Sequence, residues 1–191
     1  MIFKPGPLNN LPLEQRCIGP FLKLRAQEDG ARPYLTCGGR TYTFAETEQR
    51  CRDIARGLKQ RGIQEGSRVL MLLPNCAEFL FAWYACSLIG AAIVPLNPSL
   101  KGFLLEAQVE DAGADAVIIK DELLPAWHEL RDEVKHKASW MAVVGQLPGQ
   151  VKPSSTMAFD DLYVHAGPDP EIPGDFRSEE HTSELQSRFG I

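Results

Sequence analysis

The chain has 191 residues, enough for one well-filled core, and its apolar (44%) and charged (24%) fractions are those of an ordinary globular protein. A net charge of −5 supplies no basic field, which argues against nucleic acid and acidic membrane surfaces as partners. Five scattered cysteines (Cys17, Cys37, Cys51, Cys76 and Cys86), odd in number and without a Cys-x-x-Cys, suit a reducing cytoplasm and a role as small core hydrophobes; they suggest neither a disulfide framework nor a zinc site.

Residues 1–19 are rich in proline and asparagine and are expected to be irregular. Met1 to Lys4 is followed at once by Pro5-Gly6-Pro7, so no signal peptide is expected. Cys17, Ile18, Phe21, Leu22 and Leu24 fit one helical face, but Gly19-Pro20 interrupts it, and a helix starting at Pro20 is expected because proline is tolerated in a first turn. Tyr34 to Cys37 and Arg40 to Thr43 flank Gly38-Gly39, a pair that accepts the positive φ of a tight hairpin. Thr43-Phe44-Ala45-Glu46 is a capping box, and Phe44, Thr47, Cys51, Ile54, Ala55 and Leu58 recur at helical spacing until Gly62 closes the helix. Arg50, Arg52, Arg56, Lys59 and Arg61 share the remaining surface. They suggest either a grip on phosphates or, as the simpler account, a solvated face partnered by Glu48 and Asp53.

Val69 to Leu73 is a short apolar run, Pro74-Asn75 breaks it, an apolar stretch of helical length reaches Ile89, and Gly90 leads into a second run, Ala91 to Leu96. Length and punctuation make this strand, helix, strand, with Asn75 as expected N-cap, Glu78 returning a bond to it and Gly90 at the C′ position. Two strands buried on both sides and joined by one helix form a right-handed parallel crossover. Phe79 to Leu96 carries no charge and is long enough to suggest a membrane span. Gly90, Pro95 and the strand-like Ile93-Val94 inside it argue against one. The Asn97-Pro98-Ser99 triplet is no glycosylation acceptor, because proline holds the middle position.

Ser99 is expected to cap a helix whose buried face is Phe103, Leu104, Ala107, Gln108 and Ala112, ended by Gly113. Val117 to Ile119 reads as a strand, Pro125 opens a helix carrying Trp127, Leu130, Arg131 and Val134, and Trp140 to Val144 is a further strand. The alternation predicts an α/β fold: a layered, parallel-type sheet with flanking helices over residues 20–145, preceded by a short N-terminal β-hairpin. Residues 146–176 are linker-like, with one short helical candidate at Phe159 to Tyr163. Residues 177–191, which include RSEEHTSELQSRFGI from Arg177 onward, continue no earlier pattern and resemble a translated cloning tail, so a non-native tail is expected there.

The familiar chemical signatures are missing. There is no Gly-x-x-x-x-Gly-Lys-Ser/Thr loop, no Gly-x-Gly-x-x-Gly and no Gly-x-Ser-x-Gly. His128 and His136 lie eight apart, the wrong spacing for a metal pair on a helix, and His165 and His181 fall in expected loop and tail. Asp160-Asp161 is adjacent on the chain, so a favourable charge at a helix start is simpler than a magnesium site. Phe79, Phe81, Trp83 and Tyr84 suggest either a substrate tunnel or, more simply, core. No catalytic, cofactor-binding or metal-binding residue is assigned.

Taken together, Arg40-Thr41-Tyr42-Thr43-Phe44 with Glu46, Gly62-Ile63, Gly66-Ser67-Arg68-Val69, Leu73-Pro74-Asn75-Cys76-Ala77-Glu78-Phe79, Gly90-Ala91, Val94-Pro95-Leu96-Asn97-Pro98 and Asp111-Ala112-Gly113-Ala114 resemble the N-terminal part of the adenylate-forming (AMP-binding) superfamily, specifically its acyl-CoA synthetases. Asn75-x-x-Glu78-Phe79 is similar to ligases for carnitine-like or fatty acids. The resemblance implies ATP, Mg2+ and CoA as cofactors of the full-length enzyme and a carboxylic acid as its substrate. The acid would attack the α-phosphate of ATP to give an acyl-adenylate and pyrophosphate, and the CoA thiol would then displace AMP. The family's Ser/Thr/Gly-rich phosphate loop ending in Pro-Lys-Gly is expected shortly after Pro168 to Pro173, where this sequence turns instead into residues 177–191. The chain is therefore expected to be an N-terminal fragment that holds no cofactor and is inactive alone. The alternative is a self-sufficient α/β module that binds a small molecule or a protein.

Overall fold

A computed structural model describes residues 18–135, 137–147 and 155–170. The expectations for residues 1–17, His136, the Lys152-Pro153 stretch, His181 and the 177–191 tail lie outside these residues. Helix α1 (Ile18–Asp29) is already helical at Ile18, two residues before the expected start at Pro20. Strands β1 (Pro33–Cys37) and β2 (Arg40–Thr43) pair antiparallel around Gly38 (φ 58°) and Gly39 (φ 78°). Two successive positive φ values define the I′ turn, whose twist matches the strands and whose conformation non-glycine residues adopt at a cost. Thr43 Oγ1 then accepts from Glu46 N (3.2 Å) and Glu46 Oε2 from Thr43 N (2.9 Å), the expected capping box of α2 (Phe44–Gln60). At its other end Gly62 (φ 85°) donates to Lys59 O and Ile63 to Leu58 O, a Schellman closure.

Strand β3 (Arg68–Leu72), α3 (Ala77–Leu88) and β4 (Ala92–Pro95) form the expected crossover, with Arg68 to Met71 opposite Ala92 to Pro95 in parallel register. The cap of α3 differs: the N-cap is Cys76, no side chain caps the helix, and Asn75 belongs to the exposed connection after Pro74. Gly90 follows the last turn as expected, and Ala91 N bonds back to Cys86 O. Next come α4 (Gly102–Ala112), β5 (Ala116–Lys120), a 3₁₀ turn over Asp121–Leu123, α5 (Leu124–His128), α6 (Asp132–Lys135) and β6 (Trp140–Val144). The single helix expected after Pro125 is thus two short ones, interrupted at 129–131. It still buries Trp127, Leu130 and Val134.

Within the stretch read as linker-like, β7 (Thr156–Ala158) joins the sheet and the Phe159–Leu162 candidate forms a 3₁₀ turn. Three strand residues flanked by proline-rich sequence carry too little alternation to be recognised, and their register comes from β6. The sheet is five-stranded and parallel, in the order β4-β3-β5-β6-β7. Side chains alternate across it. Val69, Met71, Ile118 and Ala142 pack with α1, α2 and α3, while Leu70, Leu72, Val117, Ile119 and Val143 pack with α4, α5 and α6. Both faces being covered, the central strands read as unbroken apolar runs.

Helix α4 corrects another expectation. Leu105, Val109 and Ala112 are buried, whereas Phe103 is 80% and Leu104 61% exposed, and Ala107 and Gln108 also face out. The N-cap is Lys101, not Ser99, and the buried stripe is rotated by about one residue, roughly 100°, from the expected one. In this rotation Glu106 and Glu110 reach Arg131 at the surface (2.8 and 3.5 Å). One edge of the sheet is β4. Its Ala92 and Leu96 N–H groups bond to β3, so the intervening Ile93 and Pro95 direct their nitrogens outward, and the proline nitrogen has no hydrogen to offer.

Candidate functional site

In an open parallel sheet, ligands lodge beyond the carboxyl ends of the strands where successive crossovers leave on opposite faces. Helix α3 follows β3 on one face, while α4 after β4 and α5 and α6 after β5 lie on the other, so that point is the carboxyl end of β3, flanked by the connections 73–76, 96–101 and 121–123. There Asn97 Oδ1 accepts from Ser99 N (2.9 Å) and Asn97 O from Leu100 N (3.1 Å), an Asx turn that lifts the chain into α4. Exposed Phe103 and Leu104 stand beside it. Asn75 and Lys101 are the other polar residues of the connections 73–76 and 96–101, and the rest are small or apolar.

A second, polar site lies on α2. Residues 45, 46, 49, 50 and 53 recur at helical spacing and form one wall of an open groove of about 770 Å³; Asp160, Tyr163 and His165 form the other. Asp53 anchors the two walls. Its carboxylate, 3% exposed, accepts from Gln49 Nε2 (2.8 Å) and Arg56 Nη1 (2.7 Å) and lies 2.7 Å from His165 Nδ1. Arg56 also donates to Val164 O, Pro168 O and Asp169 Oδ1, which ties residues 164–169 to the helix. The partners expected for the α2 basic residues are found, Glu48 for Arg52 (2.8 Å) and Asp53 for Arg56, with Asp169 added to Arg52 (3.4 Å); the face is not solvated there, because residues 164–169 cover Arg56 to 10% exposure. Burial raises the Glu48 carboxyl above its ordinary value despite Arg52. Asp169 is lowered: its partial burial acts upward, but Arg56 and Arg52 outweigh it. This cluster joins positions 112 residues apart, and no local spacing announces it. The one available signal was a buried-phase aspartate among the helix basics.

Other residues singled out from the sequence fall as follows. Phe81 is core, Phe79 and Tyr84 are half-buried, and Trp83 is 37% exposed, so the four line no tunnel together. Tyr84 and Tyr34 share a 2.6 Å hydroxyl contact. Asp161 Oδ2 accepts from Ala158 N (3.2 Å), capping the 3₁₀ turn instead of facing a metal. Burial pushes the Cys86 thiol up to about 12 and Cys76 to about 11, far from a reactive thiolate. Among the described residues no three His, Cys, Asp or Glu side chains are placed to hold a metal ion. No helix among them is long and apolar enough to cross a membrane.

Comparison with known proteins fits this architecture. The chain is 32% identical over 158 residues to 4-coumarate–CoA ligase 3 of Arabidopsis thaliana, covering 80% of this chain and 26% of that protein. It is 31% identical over 165 residues to 4-coumarate–CoA ligase 3 of Oryza sativa subsp. japonica, covering 85% of this chain and 28% of that protein. The crystal structure of the anthranilate CoA ligase AuaEII in complex with anthranoyl-AMP superimposes with a TM-score of 0.72 at 22% identity, covering 89% of this chain and 32% of that one, a likeness of fold. The chain thus spans about a quarter of the length of these curated relatives. Residues 22–175 match the profile of the AMP-binding enzymes, and the chain belongs to that family.

Proposed function

We propose that this chain is the N-terminal part of an ATP-dependent acid–thiol ligase that activates a carboxylic acid as its acyl-adenylate and transfers it to CoA. The observation that carries this reading is the family match over residues 22–175, joined to coverage of only about a quarter of the coumarate ligases. An adenylate converts carboxylate oxygen into part of a good leaving group, AMP, so one difficult acyl transfer becomes two feasible steps. Stabilising the charge on the transferring phosphates requires a backbone cradle, a cation and a metal. No such assembly is assigned among the described residues, and we infer that the chain alone does not turn over.

Exposed Phe103 and Leu104, adjacent on α4, and exposed Trp83 on α3 support the same reading, since large apolar side chains left open mark surface that a larger protein would cover. The free thiols favour a reducing compartment such as the cytoplasm. Two measurements test the proposal. Purified chain supplied with ATP, Mg2+, CoA and a panel of carboxylic acids, aromatic and aliphatic, should release no pyrophosphate and form no thioester; sustained thioester formation would overturn the inactivity. Reading the genomic frame beyond Asp175 should reveal a Ser/Thr/Gly-rich stretch with Pro-Lys-Gly, whereas a native stop codon there would favour a self-sufficient binding module.

A further inference from the structure

Among the basic residues of α2, Arg50 has an aromatic seat. Arg52 and Arg56 are consumed by carboxylates, but Arg50 has no carboxylate within 4.0 Å among the described residues. Its guanidinium carbon instead lies 5.4 Å from the ring centre of Tyr42, 5.7 Å from Phe81 and 5.6 Å from Tyr163. Three electron-rich faces hold the flat cation without neutralising it. A guanidinium has five N–H donors in a rigid fork. One contact goes to the Tyr163 phenol, and no other acceptor engages the group among the described residues. Arg50 lines the 770 Å³ groove, and its fork is fixed before any ligand arrives.

The rest of the groove matters as much. Glu46 lines it, but its carboxylate is committed to Thr43 N. Asp53 is spent on Gln49, Arg56 and His165. The Asp53 contact through Nδ1 orients the His165 ring and leaves Nε2 of this 78% exposed side chain open. Asp160 is the lining carboxylate with no such side-chain commitment.

We propose that Arg50, seated on Tyr42, Phe81 and Tyr163, forms with the open nitrogen of His165 a subsite for a small oxyanion, a carboxylate or a phosphate. The planar fork donates to two oxygens at once, and the imidazole, whose Nδ1–H faces Asp53, donates a third bond through Nε2 in its protonated form. The subsite lies wholly within this chain and does not depend on the ligase reading. Its failure would leave the family membership intact, and an inactive chain would leave the subsite intact.

The test is a nuclear magnetic resonance titration of the full 191-residue chain with sodium phosphate, pyrophosphate and acetate at constant ionic strength. Arg50 side-chain and His165 ring signals should shift and saturate; phosphate against acetate shows which oxyanion the site prefers. Arg50→Gln should weaken binding by about tenfold or more, and Arg50→Lys, which keeps the charge but loses the fork, should weaken it by about threefold or more. Asp160→Asn, by removing a repelling charge from the wall, should tighten it by about twofold. Lys59→Gln, on the same helix outside the groove, should leave it unchanged. Linear, unsaturable shifts, or equal losses in the Arg50 and Lys59 variants, would overturn the proposal. Because Asp160→Asn preserves size and Arg50→Lys preserves charge, they decide the matter even if Arg50→Gln fails to fold.

Discussion

Replacing Asp53 by alanine tests whether the cluster on α2 holds the C-terminal strap in place. Three side-chain contacts disappear: Gln49 at 2.8 Å, Arg56 at 2.7 Å and His165 at 2.7 Å. Hydrogen bonds to a buried charge are worth about 1.5–3 kcal/mol, and breaking a buried ion pair costs about 3–5 kcal/mol. Two features reduce the figure. Arg56 keeps Asp169, Val164 O and Pro168 O, so its charge is not stranded, and His165 is 78% exposed, so water screens that contact. The expected loss is therefore about 2–3 kcal/mol, or about 4–12 °C in melting temperature for a chain of this length. Urea unfolding followed by circular dichroism measures it as a shift in midpoint at constant slope. A double-mutant cycle with Arg56→Ala should return a coupling of about 1 kcal/mol or more, because the pair shares one network. A loss within about 0.5 kcal/mol of zero, or full additivity with Arg56→Ala, would refute the reasoning.

Gly57→Ala should destabilise the chain although alanine is the better helix former by about 1 kcal/mol, because its methyl group would overlap the Leu162 carbonyl oxygen; a protease-resistance assay should show residues 159–169 released first. Thr43→Ala removes the cap on α2 and should cost about 1 kcal/mol in the same urea experiment. Burial raises the folded-state pKa of the Glu48 carboxyl above its ordinary value, so between the ordinary and the folded value the unfolded chain binds fewer protons than the folded chain. Stability should accordingly fall as pH rises through this window, and Glu48→Gln should flatten the fall; an unchanged profile would count against the burial effect. Phe103→Asp together with Leu104→Asp should leave the unfolding free energy within about 0.5 kcal/mol of the parent while lowering hydrophobic-dye fluorescence, since neither side chain contributes to the core.

Much of the fold was legible because its signals are local. Thr43 and Glu46, Gly38-Gly39, and Gly62 each fix backbone geometry within four residues, and the strands from Val69 to Val144 are apolar on both faces. What escaped depends on neighbours distant in sequence. The α4 stripe was displaced because Phe103 and Leu104 look like core residues, and only the position of the sheet shows that Leu105 and Val109 are the ones it meets. Strand β7 has three residues and owes its existence to β6. For the candidate site, the charge face of α2 was visible, but not which of its members was neutralised: Asp169 and His165, more than a hundred residues away, settle Arg52, Arg56 and Asp53, while Arg50 rests on the rings of Tyr42, Phe81 and Tyr163.

The outward-facing Pro95 bears on how this polypeptide would clump at high concentration. Another chain seeking to extend the sheet from β4 meets a ring where a donor should be, so a continuous backbone ladder stops after Ile93. Self-association driven by Phe103, Leu104 and Trp83 should consequently yield amorphous precipitate that redissolves on dilution, not ordered cross-β fibres.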